Sequence, residues 1–314
     1  MPAPGKIAFA AGTLDRAAHL RDDGSAERLR DRADSHVVAV GDAQSVALSF
    51  DNGVPALALV PVADVPAGAE LTFLGLEPSG AALFAYDAVA DGNPGRADGA
   101  RGTGEGESGL EFVPLRGLGR ELDPSDAALA AYAVAMVGWH RVTRYCGRSG
   151  DATVVQAAGH RRRCPVCGLV QFPRTDPAIT MLVQSGDSCL LSRRQGAPAN
   201  RWSALAGFVE PGETPEQAVV REAREETGVD VVSVQYVASQ PWPFPQALMI
   251  GYWAFVDPAA DAMPTPAPDE LVEARWWGRD ELERALGAGT IILPPPGTIG
   301  NYLISTWLAR GSST

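Results

Sequence analysis

Three glutamates, Glu222, Glu225 and Glu226, stand at spacing i, i+3, i+4 within GFVEPGETPEQAVVREAREETGV, residues 207–229. On a helix that spacing puts all three carboxylates on one face. Like charges so close repel one another. A hard divalent cation removes the repulsion, because Mg²⁺ and similar ions take oxygen ligands and keep positions open for water and phosphate. Arg221 falls one turn before Glu225 and can orient it. The chemistry that such a cluster supports is metal-assisted attack of water on a phosphoryl group. A solvated acidic face is the plainer reading of a bare E-x-x-E-E, so the surrounding elements decide.

Thr214 suits an N-cap, Pro215 the first helical turn and Gln217 the third position of a capping box. Gly228 suits the residue just past the end, so a helix is predicted over 215–227. Ahead of it, GFVEPGE offers a glycine-containing loop whose backbone can approach a diphosphate closely. AITMLV and CLLSRR predict a hairpin around SGDS, and VVSVQYVA, LMIGYWAFV and EARWW predict strands. Helices are predicted near 279–286 and 298–309. Upstream, short apolar runs split by Gly, Pro, Asn and Asp make residues 34–90 β-rich, and the polar, glycine-rich stretch 91–109 predicts a surface loop. A helix is predicted over 123–145, capped by Ser125 or Asp126. The division expected is a β-rich domain at 1–122, a linking helix and cysteine module at 123–175, and a mixed α/β domain at 176–314.

The 207–229 segment matches the Nudix box, G-x5-E-x7-R-E-U-x-E-E-x-G-U, at Gly207, Glu213, Arg221, Glu222, Glu225, Glu226 and Gly228. Ala223 and Val229 fill its hydrophobic slots. The chain is therefore identified as resembling the Nudix hydrolases. That resemblance implies a Nudix α/β/α sandwich with a mixed sheet, preceded by a zinc-ribbon-like module and a β-rich N-terminal domain. It implies that Glu222 and Glu226 ligate Mg²⁺ or Mn²⁺, with the Ala206 carbonyl as a further ligand. Glu225 ligates metal or helps to activate the attacking water, and Glu213 braces the loop–helix turn.

A second stretch, SQPWPFPQALMIGY at 239–252, resembles the S-Q-P-W-P-F-P-x-S array of the NADH pyrophosphatase family within that superfamily. Its prolines predict a stiff, extended shelf. Gln240 can hydrogen-bond, Trp242 and Phe244 offer flat faces, and Pro241, Pro243, Pro245, Gln246 and Ala247 complete the shelf. GWHRVTRYCGRSG, CPVCGLVQFPRTDPAITMLV and LPPPGTIGNYLI resemble further stretches of that family, in order. The resemblance covers about 115–314. It implies a homodimeric enzyme that cuts NADH or NAD⁺ to nicotinamide mononucleotide and AMP, and that removes NAD caps from RNA in some members. It further implies Glu270 as a distal metal ligand, Phe208 and Phe172 as partners stacking on nicotinamide, and Gly300 as a backbone contact to substrate.

Two departures stand out. The family's array ends in Ser where this chain has Ala247, which removes one hydroxyl. The family's four-cysteine zinc site is represented by Cys146-Gly-Arg-Ser149 and Cys164-Pro-Val-Cys167, and serine is a poor zinc ligand beside thiolates. His160 is a conceivable fourth ligand at the wrong spacing; without zinc the module would be a packed hairpin. Cys189, in a predicted strand, reads as core, and the contexts of His19, His36 and His140 suggest no role.

The formal net charge of -12 over 314 residues disfavours a protein living on nucleic-acid backbones. The short basic run His160-Arg161-Arg162-Arg163 reads as solvated rather than as a nucleic-acid ribbon. No apolar stretch is long enough to span a membrane. The N-terminal MPAPGKIAFAAGTLDR lacks a basic start and a full hydrophobic stretch, so no signal peptide and a cytoplasmic protein are expected. The rival readings are a pyrophosphatase for ADP-ribose or another dinucleotide, and a non-catalytic nucleotide sensor, which would usually lose glutamates that this chain keeps.

Overall fold

The computed structural model describes residues 6–22, 24–90, 110–257, 259 and 263–311. The expected glycine-rich loop at 91–109 lies outside the described residues. The chain divides into two compact units. The N-terminal unit comprises Phe9–Thr175 with Trp242–Gln246, and the C-terminal unit comprises Met1–Ala8, Asp176–Pro241 and Ala247–Thr314.

The N-terminal unit opens with α1 (Ser25–Arg30) and strands β1 (His36–Val40), β2 (Ser45–Asp51), β3 (Val54–Leu57), β4 (Leu59–Pro61), β5 (Leu71–Leu76), β6 (Ala82–Asp87) and β7 (Glu111–Pro114). Among the described residues they form one sheet in the order β3-β2-β1-β6-β5, with β4 also paired to β1 and β7 to β2. A single turn, α2 (Leu115–Leu118), precedes the long helix α3 (Pro124–Val142). The cap of α3 is Asp123, which accepts from Ser125 N–H at 2.8 Å, rather than Ser125 or Asp126. Pro124 explains the shift: its fixed φ and missing N–H favour the first helical position, which makes the residue before it, Asp123, the cap. Ala127, Ala130, Ala131, Ala133 and Val134 are buried, small residues that let α3 lie close against β1 and β6. A three-stranded antiparallel ribbon follows, made of β8 (Val154–Gln156), β9 (Arg161–Arg163) and β10 (Val170–Gln171).

The C-terminal unit contains β11 (Asp176–Ser185), β12 (Ser188–Arg194), β13 (Leu205–Phe208), α4 (Pro215–Thr227), β14 (Val231–Trp242), β15 (Ala247–Val256), β16 (Leu271–Gly278), α5 (Arg279–Gly287) and α6 (Ile299–Gly311). Its sheet runs β14-β15-β11-β12-β16, with β13 paired to β11. β11 and β15 are parallel from Asp176↔Ala247 to Gln184↔Phe255, whereas β11–β12 and β12–β16 are antiparallel, so the sheet is mixed. Strand alternation sends successive side chains to opposite faces. Ile179, Met181 and Val183 join Ala218, Val219 and Ala223 of α4 on one face. Leu182, Cys189, Leu191 and Trp253 join Leu282 of α5 and Leu303, Ile304 and Trp307 of α6 on the other. A mixed sheet between two helical layers is thus dictated by the period-2 pattern of two buried strands. Cys189 is fully buried there, as its strand position implied.

Candidate active site

α4 carries the acidic cluster, and its ends are held as the sequence dictates. Thr214 accepts from Gln217 N–H at 3.2 Å while the Gln217 side chain accepts from Thr214 N–H at 2.8 Å, closing the capping box. Gly228 takes φ 69°, a left-handed conformation that costs glycine little, and ends the helix. Ala218, Val219 and Ala223 anchor α4 in the core and fix its rotation; Glu226, seven residues after Val219, shares that face and is buried, whereas Glu225 is exposed.

Arg221 organises the cluster. All five of its donors are used. Nε and Nη2 grip the two Glu213 oxygens at 2.8 and 2.9 Å, Nη2 also reaches the Phe208 carbonyl at 2.9 Å, and Nη1 reaches Glu222 and Glu225, each at 2.9 Å. The second Glu213 oxygen also accepts from Glu210 N–H at 3.1 Å. Glu213 therefore ties the loop 208–213 to α4, and the hydrogen bonds from Arg221 hold its carboxyl below the usual range.

Glu222, Ala206, Gly207, Phe208 and Glu270 line one groove of about 610 Å³, together with Ala178, Arg194, Gln195, Glu210 and Met249. The Glu222 carboxyl lies so close over Gly207 that a Cβ built there would sit 2.0 Å from Glu222 Cδ. Glu226 is only 2% exposed, and its Oε2 has no hydrogen-bond partner among the described residues. Its other oxygen accepts from Arg194 at 3.3 Å, and the same guanidinium donates to the Ala206 carbonyl. Burial pushes the Glu226 carboxyl up to about 7; Arg194 opposes this, and Glu222 and Glu270 add to it. Burial likewise raises Glu222. Glu270 rides on the segment before β16, which is fastened to the end of α4 by Thr265 N–H to Thr227 O and Ala267 N–H to Glu226 O, both 2.8 Å. Every donor here is a hard oxygen, one buried carboxylate oxygen is orphaned, and a cationic side chain already bridges two of the oxygens. Such a set fits a divalent cation. Glu225 is exposed and reaches this arrangement through Arg221.

The proline–aromatic array is different from the extended shelf expected. β14 runs through Trp242, the Phe244–Pro245 bond is cis, and the chain turns into β15 at Ala247, so the array is a turn between two strands. Within the N-terminal unit, Trp242 and Phe244 pack edge to face at 5.0 Å, with Phe9 at 6.2 and 5.9 Å from them. Arg116 lies 5.4 and 5.5 Å from the same two rings. Pro243 is buried and its carbonyl accepts from Gln44 at 2.9 Å, while Pro241 and Pro245 are exposed and Gln246 is half-buried.

Gln240 belongs to the C-terminal unit and is turned inward. Its amide donates to the Ala8 and Gly297 carbonyls at 3.0 and 2.9 Å and accepts from Ile299 N–H at 2.9 Å. The side chain expected to bind substrate is thus fully engaged by three backbone segments. Gly300 sits in the first turn of α6, with the nearest atom to a built Cβ at 3.8 Å, and does not line the groove. Phe208 and Phe172, in different units, are 62% and 61% exposed. Arg194 and Gln195 were not legible in sequence: Arg194 meets Ala206 and Glu226 across 12 and 32 positions, and no local pattern signals such a contact.

Cys146, Cys164 and Cys167 converge, with their sulfurs all within 4.8 Å of one another. His160 is not beside them; its Nε2 is hydrogen-bonded to the Phe73 carbonyl at 2.7 Å. Nor is the basic run a solvated strip. Arg162 is buried, with Nε on Thr153 at 2.8 Å and Nη1 on Glu70 and His140 Nδ1 at 3.1 and 2.7 Å. His140, which had no role from its context, is the buried acceptor of that network.

A mixed sheet between helical layers, with a capped glutamate helix over a glycine-bearing loop, is the arrangement expected of a Nudix hydrolase. Three family models match: the NUDIX domain over residues 174–292, the NADH pyrophosphatase-like rudimentary NUDIX domain over 34–139, and the NADH pyrophosphatase zinc ribbon domain over 141–172. The chain is similar to the NAD-capped RNA hydrolase NudC of Mycobacterium bovis, 41% identical over 208 residues that cover 63% of this chain and 66% of that protein. It is similar to the NAD-capped RNA hydrolase NudC of Stutzerimonas stutzeri, 39% identical over 202 residues that cover 64% of this chain and 69% of that protein. A solved NUDIX hydrolase from Nitrosomonas europaea aligns at a TM-score of 0.38 and 23% identity, over 44% of this chain and 80% of that one. The chain belongs to the NADH pyrophosphatase (NudC-like) family of the Nudix hydrolases. No helix among the described residues is long and apolar enough to cross a membrane.

Proposed function

We propose that this protein hydrolyses the diphosphate bond of NADH or NAD⁺ to nicotinamide mononucleotide and AMP, and removes NAD caps from RNA, acting as a cytoplasmic homodimer. The observation that carries the reading is the buried Glu226 with its orphaned Oε2, bridged through Arg194 to the Ala206 carbonyl of a groove that Glu222 and Glu270 also line. The 41% identity to NAD-capped RNA hydrolases over 208 residues supports the choice of substrate.

In this reading Glu222, Glu226, Glu270 and the Ala206 carbonyl hold Mg²⁺ or Mn²⁺, with Glu225 as a further ligand or as the acceptor of the water's proton. Bound there, the ion would polarise the phosphoryl oxygens, offset developing charge and lower the pKa of a coordinated water. Arg221 keeps the Glu222 and Glu225 carboxylates apart and aimed, and Glu213 holds Arg221. Phe208 and Phe172 stack on the nicotinamide. By its resemblance to the family's array, the run Pro241, Trp242, Pro243, Phe244, Pro245, Gln246 and Ala247 is assigned the rest of the substrate. Three cysteines and Ser149 make the ribbon a candidate zinc module.

The test is product analysis with NADH and Mg²⁺ or Mn²⁺, alongside ADP-ribose and a Glu226→Gln control. Metal-dependent release of AMP and reduced nicotinamide mononucleotide, lost in the variant, is the expected result. Cleavage of ADP-ribose with NADH left intact would overturn the substrate assignment, and inertness toward both would overturn the catalytic one.

A further inference from the structure

The two halves of the cysteine module are built alike. Cys146-Gly-Arg-Ser149-Gly150 and Cys164-Pro-Val-Cys167-Gly168 each end in a glycine with positive φ, 78° and 74°. Gly150 N–H donates to Cys146 O at 2.8 Å, and Gly168 N–H donates to Cys164 O at 3.0 Å. Cys146 and Cys164 N–H in turn donate to Asp151 and Leu169 carbonyls at 2.8 and 2.9 Å. The turn around Ser149 therefore has the shape of the turn around Cys167, and Ser149 holds the corner where the matching turn has a thiol.

The distances fit a four-coordinate ion. A tetrahedral centre with metal–sulfur bonds of about 2.3 Å and a metal–oxygen bond of about 2.1 Å requires sulfur–sulfur edges of about 3.8 Å and sulfur–oxygen edges of about 3.6 Å. Cys146 Sγ and Cys167 Sγ are 3.5 Å apart, and Ser149 Oγ and Cys164 Sγ are 3.3 Å apart. Backbone N–H groups of Arg148 and Cys167 point at the Cys146 and Cys164 sulfurs at 3.4 Å each, donors that steady thiolates. The corners differ in access: Cys146 and Cys164 are buried, whereas Ser149 is exposed.

We propose that the ribbon binds one zinc-class divalent ion through Cys146, Cys164 and Cys167, and that its fourth, solvent-facing corner is an exchangeable oxygen. The Ser149 hydroxyl or a water fills that corner at rest, and a small external thiol displaces it. A closed four-thiolate site holds its ion without an open position, whereas three protein ligands plus a labile oxygen leave one. The ribbon of this chain is thus a metal site that small soft ligands can enter.

Cobalt titration of the full chain, stripped of metal and kept reduced without thiols, tests this. Near-ultraviolet sulfur-to-cobalt bands report the ribbon alone, because glutamate-bound cobalt lacks them. The expected result is one cobalt per chain in these bands, and three sulfurs with one oxygen by X-ray absorption of the zinc form. Ser149→Cys should give four sulfurs and release zinc to a chelator at least about tenfold more slowly. Ser149→Ala should keep three sulfurs. Added 2-mercaptoethanol should shift the visible cobalt bands of the native chain and leave those of Ser149→Cys unchanged. Absence of sulfur-to-cobalt bands in the native chain, or a native spectrum indifferent to the thiol, would overturn the proposal. Neither readout depends on the hydrolytic site.

Discussion

Replacing Gly207 with alanine isolates the part of the site that backbone shape controls. The new Cβ would stand 2.0 Å from Glu222 Cδ and Oε1, where ordinary contact begins at 3.4 Å, so the carboxyl must retreat by the difference, about 1.4 Å. β13 cannot yield instead, because Gly207 is paired with Ile179 in the sheet. The retreat carries Glu222 off its Arg221 contact at 2.9 Å and out of the groove. Loss of a group that merely orients a ligand lowers metal affinity by roughly 10–100-fold, or about 1.4–2.8 kcal/mol, and displacing the ligand itself should cost at least that. A misplacement of about 1 Å can also cost on the order of 100-fold in turnover. The assay is turnover of NADH against Mg²⁺ or Mn²⁺ concentration, with thermal unfolding in chelator as a control for the fold. In a Glu222→Ala background the alanine at 207 should add almost nothing, because its target is already gone. Unchanged metal dependence in Gly207→Ala, or losses that simply add in the double variant, would refute the reasoning.

Arg194→Met removes the resident cation from Ala206 O and Glu226, so metal binding without substrate should tighten severalfold in a calorimetric titration; weaker binding would show that Arg194 supports the ion instead of standing in for it. Burial holds His140 at about 4 against its ordinary 6.5, with Arg162 adding to the effect. Between those values the unfolded chain binds the proton and the folded chain does not, so stability present above pH 6.5 is lost as pH falls toward 4, by on the order of 3 kcal/mol. Chemical denaturation of the native chain and His140→Gln across that window should show a steeper acid loss in the native chain, and parallel curves would discount the histidine.

Much of the site was legible because its signals are local. Thr214, Pro215, Gln217 and Gly228 announce where α4 starts and stops, and three glutamates within five positions share a face whatever the tertiary fold. Glu213 could be read as a brace of the loop–helix turn from its place in the box, and Arg221 as a guide for Glu225, but not that the two grip one another. The roles that required distance were misread or unseen. Gly207 looked like room for a phosphate, and the structure shows that a carboxylate from α4 fills the space beside it. Gln240 looked like a hook for substrate because its sequence neighbours are prolines and aromatics; its partners, Ala8, Gly297 and Ile299, lie far along the chain, and they turn it inward. Trp242 and Phe244 were recognisable as a pair, but Phe9 and Arg116, which complete their cluster, carry no periodic signal.

Gln240 also bears on how this chain is made. Its amide closes on the Ala8 carbonyl across 232 positions, and Ile7 is buried with Ala238 and Ile299. Ile7 and Ala8 leave the ribosome long before their partners exist, so this corner of the hydrolytic unit can be completed only after α6 begins. A shortened chain starting at residue 9 would keep the whole Nudix box and still leave a buried amide hydrogen without its acceptor. Attempts to isolate the C-terminal unit by cutting before Asp176 should therefore give a less stable protein, and supplying residues 1–8 as a separate peptide should restore part of what was lost.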